Sequence, residues 1–185
     1  EVGYYRVGYM LAVNLLISLS AFTPIFKPIV SENRMNKGVL RSQFQLATRW
    51  ITILTIPLAI PLVVAPEAYL SLLFTPDYTI AGSAVAALTI GYLINAGYGP
   101  EGMMLEGLGH TRLTLFNTGL LVGVNGILDM LLVPTYGILG AGIATSSGLA
   151  VAGVAGIVEI YVLTGIQPYT GEIVRVWVAG IISFG

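Results

Sequence analysis

The chain has 185 residues, of which 56% are hydrophobic and only 9% charged, with a net charge of −1. A soluble domain carries about 25% charged residues, so this composition excludes an ordinary water-facing globule, and the mean hydropathy of +0.87 agrees. The near-neutral charge gives no footing for nucleic acid, and the absence of cysteine excludes a disulfide framework and thiol chemistry.

The apolar runs are long and apolar on all sides, unlike the alternating ten-residue units of a membrane β-barrel. The expected fold is an all-α polytopic membrane bundle. Its six spans are A (7–29), B (50–65), C (79–108), D (113–133), E (138–163) and F (173–185). Span F stops after 13 residues and the chain starts at Glu1. A full span needs about 20 residues, so the sequence reads as five complete spans and a truncated sixth, one piece of a larger protein that would not fold alone.

Taken in order, span A holds Asn14 near its middle and Pro24 and Pro28 near its end. Residues 30–49 are the one properly polar stretch, and Arg34, Lys37 and Arg41 recur in it at i, i+3 and i+7. That spacing predicts a basic amphipathic helix lying on the membrane, which either sets orientation or contacts anionic headgroups. Span B repeats the i, i+4 proline spacing with Pro57 and Pro61, and residues 66–78 form a loop. Span C is interrupted at Gly97-Tyr98-Gly99-Pro100, directly before Glu101, and ends at the turn Gly109-His110-Thr111-Arg112. A broken helix exposes backbone groups, and transporters place binding sites at such breaks; the alternative is a plain kink.

Span D carries Asn117, Asn125 and Asp129 in an otherwise oily run. It meets span E at the hinge Pro134-Thr135-Tyr136-Gly137. Asn125 and Asp129 are four residues apart and share a face. Buried charge costs at least about 2.5–3.5 kcal/mol by insertion scales, so Asp129 either handles substrate or ion or makes a helix-to-helix hydrogen bond. Glu106 and Glu159 lie closer to span ends and can reach the interface. In span E, Ala144, Gly148, Ala152 and Gly156 recur every four residues, as Gly119 and Gly123 do in span D. These stripes suit close helix contact, static or sliding.

Basic residues alternate between loops. Lys27, Arg34, Lys37, Arg41 and Arg49 flank the A–B loop, Arg112 lies in the C–D turn and Arg175 follows the E–F loop, whereas the loops after B and D have none. The positive-inside rule then places 30–49, 109–112 and 164–172 in the cytoplasm, with Arg6 the exception. The chain has one histidine, His110, and no HExxH, GxSxG, P-loop or metal-ligand pattern. It is therefore read as no enzyme, with no cofactor and no metal.

Four segments together carry a resemblance. They are Val2-Gly3-Tyr4-Tyr5-Arg6-Val7-Gly8-Tyr9 leading to Thr23-Pro24-Ile25-Phe26; Ala65-Pro66-Glu67 followed by Leu72-Leu73-Phe74-Thr75-Pro76-Asp77-Tyr78; Leu105-Glu106-Gly107-Leu108-Gly109-His110-Thr111-Arg112; and the run 125–145 from Asn125 through the Pro134–Gly137 hinge to Thr145. In order and spacing they resemble the polysaccharide-transporter branch of the multidrug/oligosaccharidyl-lipid/polysaccharide exporter superfamily, the Wzx-like flippases. A glycine often follows the family's Phe at the position of Phe74, where this chain has Thr75.

The resemblance implies half of a two-lobed, MATE-like exporter of 12 to 14 spans, with this chain supplying about the eighth to thirteenth. It implies alternating access and a polyprenyl-linked oligosaccharide as substrate, moved across the cytoplasmic membrane among its lipids, and it assigns no binding residue here. From the residues themselves, Asn14, Asn95, Glu101, Asn125 and Asp129 are the candidates for a polar cavity lining, and Arg34, Lys37 and Arg41 for headgroup contacts. A cation-coupled multidrug exporter, with H⁺ or Na⁺ on Glu101 or Asp129, is the alternative. An integral-membrane glycosyltransferase or glycan polymerase fits less well, because the outer loops are short and nearly uncharged.

Overall fold

A computed structural model describes residues 2–169. These residues form α1 (Val2–Val13), a 3₁₀ turn (Asn14–Leu16), α2 (Ile17–Glu32), α3 (Lys37–Val64), α4 (Pro66–Leu73), a second 3₁₀ turn (Pro76–Ala81), α5 (Gly82–Tyr98), α6 (Glu101–Gly107) and α7 (Thr111–Thr164). The fold is all-helical among the described residues. Four continuous stretches, Tyr5–Glu32, Lys37–Val64, Asp77–Gly107 and Thr111–Thr164, are long and apolar enough to cross a membrane. Span F and Arg175 lie outside the described residues.

The fourth stretch is a hairpin. Gly137 has φ 56° and ψ −132°, a conformation that side-chain-bearing residues avoid. The chain folds back there, after Pro134, into one arm over residues 111–136 and another over 138–164. Close packing follows at once: a Cβ on Gly140 would lie 2.6 Å from the Leu132 carbonyl, and one on Gly148 would lie 2.9 Å from the Leu121 carbonyl.

α5 is the centre of the bundle, with ten of its 17 residues buried. The α3 face built from Thr48, Ile51, Thr52, Thr55 and Ala59 is likewise buried, and α3 packs on α5. Its threonines turn their hydroxyls back onto their own helix, Thr48 to Phe44 O (2.8 Å), Thr52 to Thr48 O (2.8 Å) and Thr55 to Ile51 O (2.7 Å), so these three α3 donors are satisfied within the core. On its other side α5 meets α7 through missing side chains. A Cβ on Gly91 would fall 2.2 Å from Ser146 Oγ, and Ser146 Oγ donates to Ala87 O at 2.8 Å.

Three apolar clusters run from one end of the bundle to the other. The first, around Phe26, Val30, Leu40, Phe44, Met104 and Leu105, also holds Ile166. It ties the 33–36 turn, the 108–110 turn and the segment after α7 to the same end. Arg34 Nε donates to Gly107 O at 2.8 Å and Gln45 Nε2 to Gln167 O at 3.2 Å across that end. At the opposite end Leu62, Leu70, Ala81 and Tyr78 pack with Ile138, just past the hairpin hinge. The grouping of loops into two ends matches the charge alternation in the sequence.

Three expectations change. The basic stretch 30–49 is not a separate surface helix: α3 starts at Lys37, capped by Asn36 Oδ1 accepting from Val39 N at 3.2 Å, and runs unbroken to Val64. The reason is the continuous buried face Leu40, Phe44, Ala47, Ile51, which carries the helix through Trp50 with no glycine or proline to stop it. Arg34 falls in the turn before the helix, so Arg34, Lys37 and Arg41 do not share one helical face. The loop 66–78 contains a two-turn helix, α4, started by Pro66 at its first position. Gly119 and Gly123 have nothing within 4 Å of a built Cβ and are exposed, so the small-residue contact is made by the second arm of the hairpin alone.

Candidate functional site

Polar side chains gather at two levels along the α7 hairpin. The level nearer the hinge is built from Asn125 and Asp129 on the first arm, Thr145 on the second and Tyr5 on α1. Tyr5 OH lies 3.2 Å from Thr145 Oγ1. With the Asn125 amide turned so that both its ends are satisfied, Nδ2 donates to Asp129 Oδ2 at 3.1 Å. Its carbonyl oxygen then accepts from Thr145 Oγ1 at 2.9 Å and from Thr145 N at 3.0 Å. We adopt this orientation because the opposite one faces the amide N toward a donor and leaves the Asp129 carboxylate without it. Asp129 Oδ1 is solvent-inaccessible and still has no partner. The i, i+4 spacing read in the sequence thus becomes a real contact, extended to two further helical segments.

The second level lies toward the basic end. Asn117 is buried, and its Nδ2 donates to Glu159 Oε2 on the opposite arm at 2.8 Å. Beside it, Asn95 from α5, Glu101 from the start of α6, and Thr114, Thr118 and Leu121 from the first arm line a cavity of about 120 Å³ with Ala152 and Gly153. The chain break positions Glu101. Gly99 takes φ 72°, and a Cβ there would lie 2.0 Å from Thr48 Oγ1, so only glycine lets the end of α5 press against α3. Pro100 then caps the new helix, and Glu101 opens it. Gly153 and Gly156 let the second arm approach: built Cβ atoms would meet the Tyr98 ring at 2.1 Å and Glu101 Cγ at 2.8 Å.

The remaining candidates go elsewhere. Asn14 is exposed in the first 3₁₀ turn and donates to Met10 O of its own helix at 2.8 Å, away from both clusters. Arg34 is engaged with the Gly107 carbonyl, whereas Lys37 and Arg41 are exposed at the same end. Glu106 pairs with Lys27 there. Sequence reasoning left out Glu159, treated as an interface residue, and also Tyr5 and Thr145. The signal available was the hinge: folding about Gly137 sets Asn117 opposite Glu159 and Asn125 opposite Thr145.

No group of three or more His, Cys, Asp or Glu side chains that could hold a metal occurs among the described residues. Comparison with known proteins gives a curated relative, an uncharacterized membrane protein of Methanocaldococcus jannaschii. The two are 29% identical over 151 residues, covering 80% of this chain. The chain spans 30% of that relative's length. No protein-family model and no solved structure matches the chain. The relative and the four apolar helical stretches together support a membrane-embedded protein, helical among the described residues.

Proposed function

We propose that the chain is part of a membrane transporter, a Wzx-like flippase that carries lipid-linked oligosaccharide across the cytoplasmic membrane by alternating access. The observation that carries a transport reading is the polar seam inside the α7 hairpin, where Asn117, Asn125, Asp129, Thr145 and Glu159 meet between apolar arms. Carboxylates in a hydrocarbon environment cost several kcal/mol and mark ion or substrate pathways. The helix break at Gly99-Pro100, directly before Glu101, is a second transporter feature. The oligosaccharide class rests on the four resembling sequence segments. In this reading the hairpin counts as two crossings, the basic end faces the cytoplasm, and the bundle is part of the second lobe.

Reconstitution tests it. The protein in proteoliposomes should move a fluorescent polyprenyl-diphosphate oligosaccharide between leaflets, and Asp129→Asn should slow that movement at least about tenfold, the size of a lost buried charge contact of roughly 1.4 kcal/mol. Unchanged surface glycan in a strain lacking the gene would remove the flippase reading. The partnerless Asp129 Oδ1 favours H⁺ coupling at this cluster, which also keeps a cation-coupled exporter as the second reading. Gradient-driven efflux of small dyes from vesicles, with no lipid-linked sugar moved, would select that one.

A further inference from the structure

The cavity at Glu101 lies away from Asp129, one level further along the hairpin. Its size limits its occupant. About 120 Å³ is well under the roughly 300 Å³ at which pockets for small organic molecules begin. A recess of this size suits an ion with a few waters better than a sugar or a drug.

The lining sets the sign. None of the residues around the cavity is basic, and Glu101 is the one acid among them. Asn117 is nine-tenths buried, and its amide orientation is fixed because Nδ2 donates to the Glu159 carboxylate. Its carbonyl Oδ1 therefore points away from Glu159 and has no partner, and Thr114 Oγ1 beside it has none either. A buried polar atom left without a partner costs about 1–3 kcal/mol; the Asn117 carbonyl oxygen calls for a donor or a cation, and the Thr114 hydroxyl oxygen can offer a lone pair to the same cation. All the available ligands are hard oxygens, which suit a hard cation and disfavour Zn²⁺ or Cu⁺. A single carboxylate in the lining balances one positive charge.

We propose that Glu101, Asn117 and Thr114 form a monovalent-cation site of the Na⁺ class, distinct from the Asp129 cluster. Glu159 acts through Asn117 as a positioning residue, holding the amide so that its oxygen faces the ion. The inference requires only the membrane fold and holds whichever substrate is transported.

The test is thermal unfolding of the protein, expressed at its natural length and held in nanodiscs at fixed pH and ionic strength, with NaCl exchanged for choline chloride. Na⁺ should raise the melting temperature by about 2–4 °C. Glu101→Gln and Asn117→Leu should abolish the rise, and Asp129→Asn should keep it. The near-isosteric Thr114→Val, least disturbing to folding, should weaken ²²Na⁺ binding several-fold in a direct equilibrium measurement. A full Na⁺ response in Glu101→Gln, its loss in Asp129→Asn, or no Na⁺ response in the unaltered protein would each overturn the proposal. The last outcome would leave a protonated Glu101 as the donor to Asn117.

Discussion

Gly99 shows how a single residue positions a site. Its positive φ and the 2.0 Å approach of Thr48 Oγ1 to a built Cβ act together, and both arguments bear on Glu101 two residues later. Gly99→Ala should destabilise the protein by about 1–3 kcal/mol, the usual cost of a strained backbone position. Adding Thr48→Ala should recover only the part due to the clash. A thermal-melt comparison of the two variants separates the terms; full recovery in the double variant would mean that the φ angle contributes nothing. The sequence showed Gly99 as part of a break, because Gly-Tyr-Gly-Pro is poor helix material. It could not show Thr48 as the neighbour, since the two are 51 positions apart. Asn117 illustrates the same limit. Its place in an oily run was visible, but its partner Glu159 was visible only to a reading that folded the chain at Gly137.

At the level of elements, the hairpin is decided by its hinge. Pro134 weakens the helix, but the reversal itself occurs at Gly137, where φ 56° and ψ −132° admit glycine almost alone. Gly137→Val should shift the apex, costing about 1–3 kcal/mol and separating Asn125 from Thr145. Cross-linking between cysteines placed at 125 and 145, whose side chains meet across the arms, should drop sharply in that variant. Unchanged cross-linking would show that the arms, not the hinge, set the register. The first predicted surface helix failed at this scale for a related reason. A run of charges looks like a separate element, but the apolar period beneath it, Leu40 through Ile51, continues without interruption into α3. Burial of that face outweighs the exposed charges, which stay at the end of the bundle and cost little.

For the molecule as a whole, the arrangement of ends is the testable property. The described chain has no cysteine, so single cysteines report access directly. Met35 is 97% exposed in the turn before α3, and Tyr136 is 57% exposed at the hairpin apex. In intact cells Met35→Cys should react only with a membrane-permeant thiol reagent, and Tyr136→Cys also with an impermeant one. The reverse pattern would invert the orientation proposed from the basic loops. The large apolar side chains exposed along α7, among them Leu115, Phe116, Met130, Leu131 and Val162, suit a lipid-facing surface; in water a patch of this extent marks an unfinished interface.

By itself the sequence determined that the protein is helical and membrane-embedded, where its helices break and which loops share an end. These follow from local quantities: the length of apolar runs, the conformational limits of glycine and proline, and the count of basic residues per loop. Only the tertiary structure decided which polar groups meet. The Asn125–Asp129 contact was legible because one helical turn joins the two residues. The Asn117–Glu159 contact depends on the fold at Gly137 and the Tyr5–Thr145 contact on how α1 meets the second arm, and the cavity beneath Glu101 depends on how closely that arm approaches α5 and α6. That approach is set by the glycines at 91, 153 and 156, and a missing side chain shows what it admits only when its neighbour is in place.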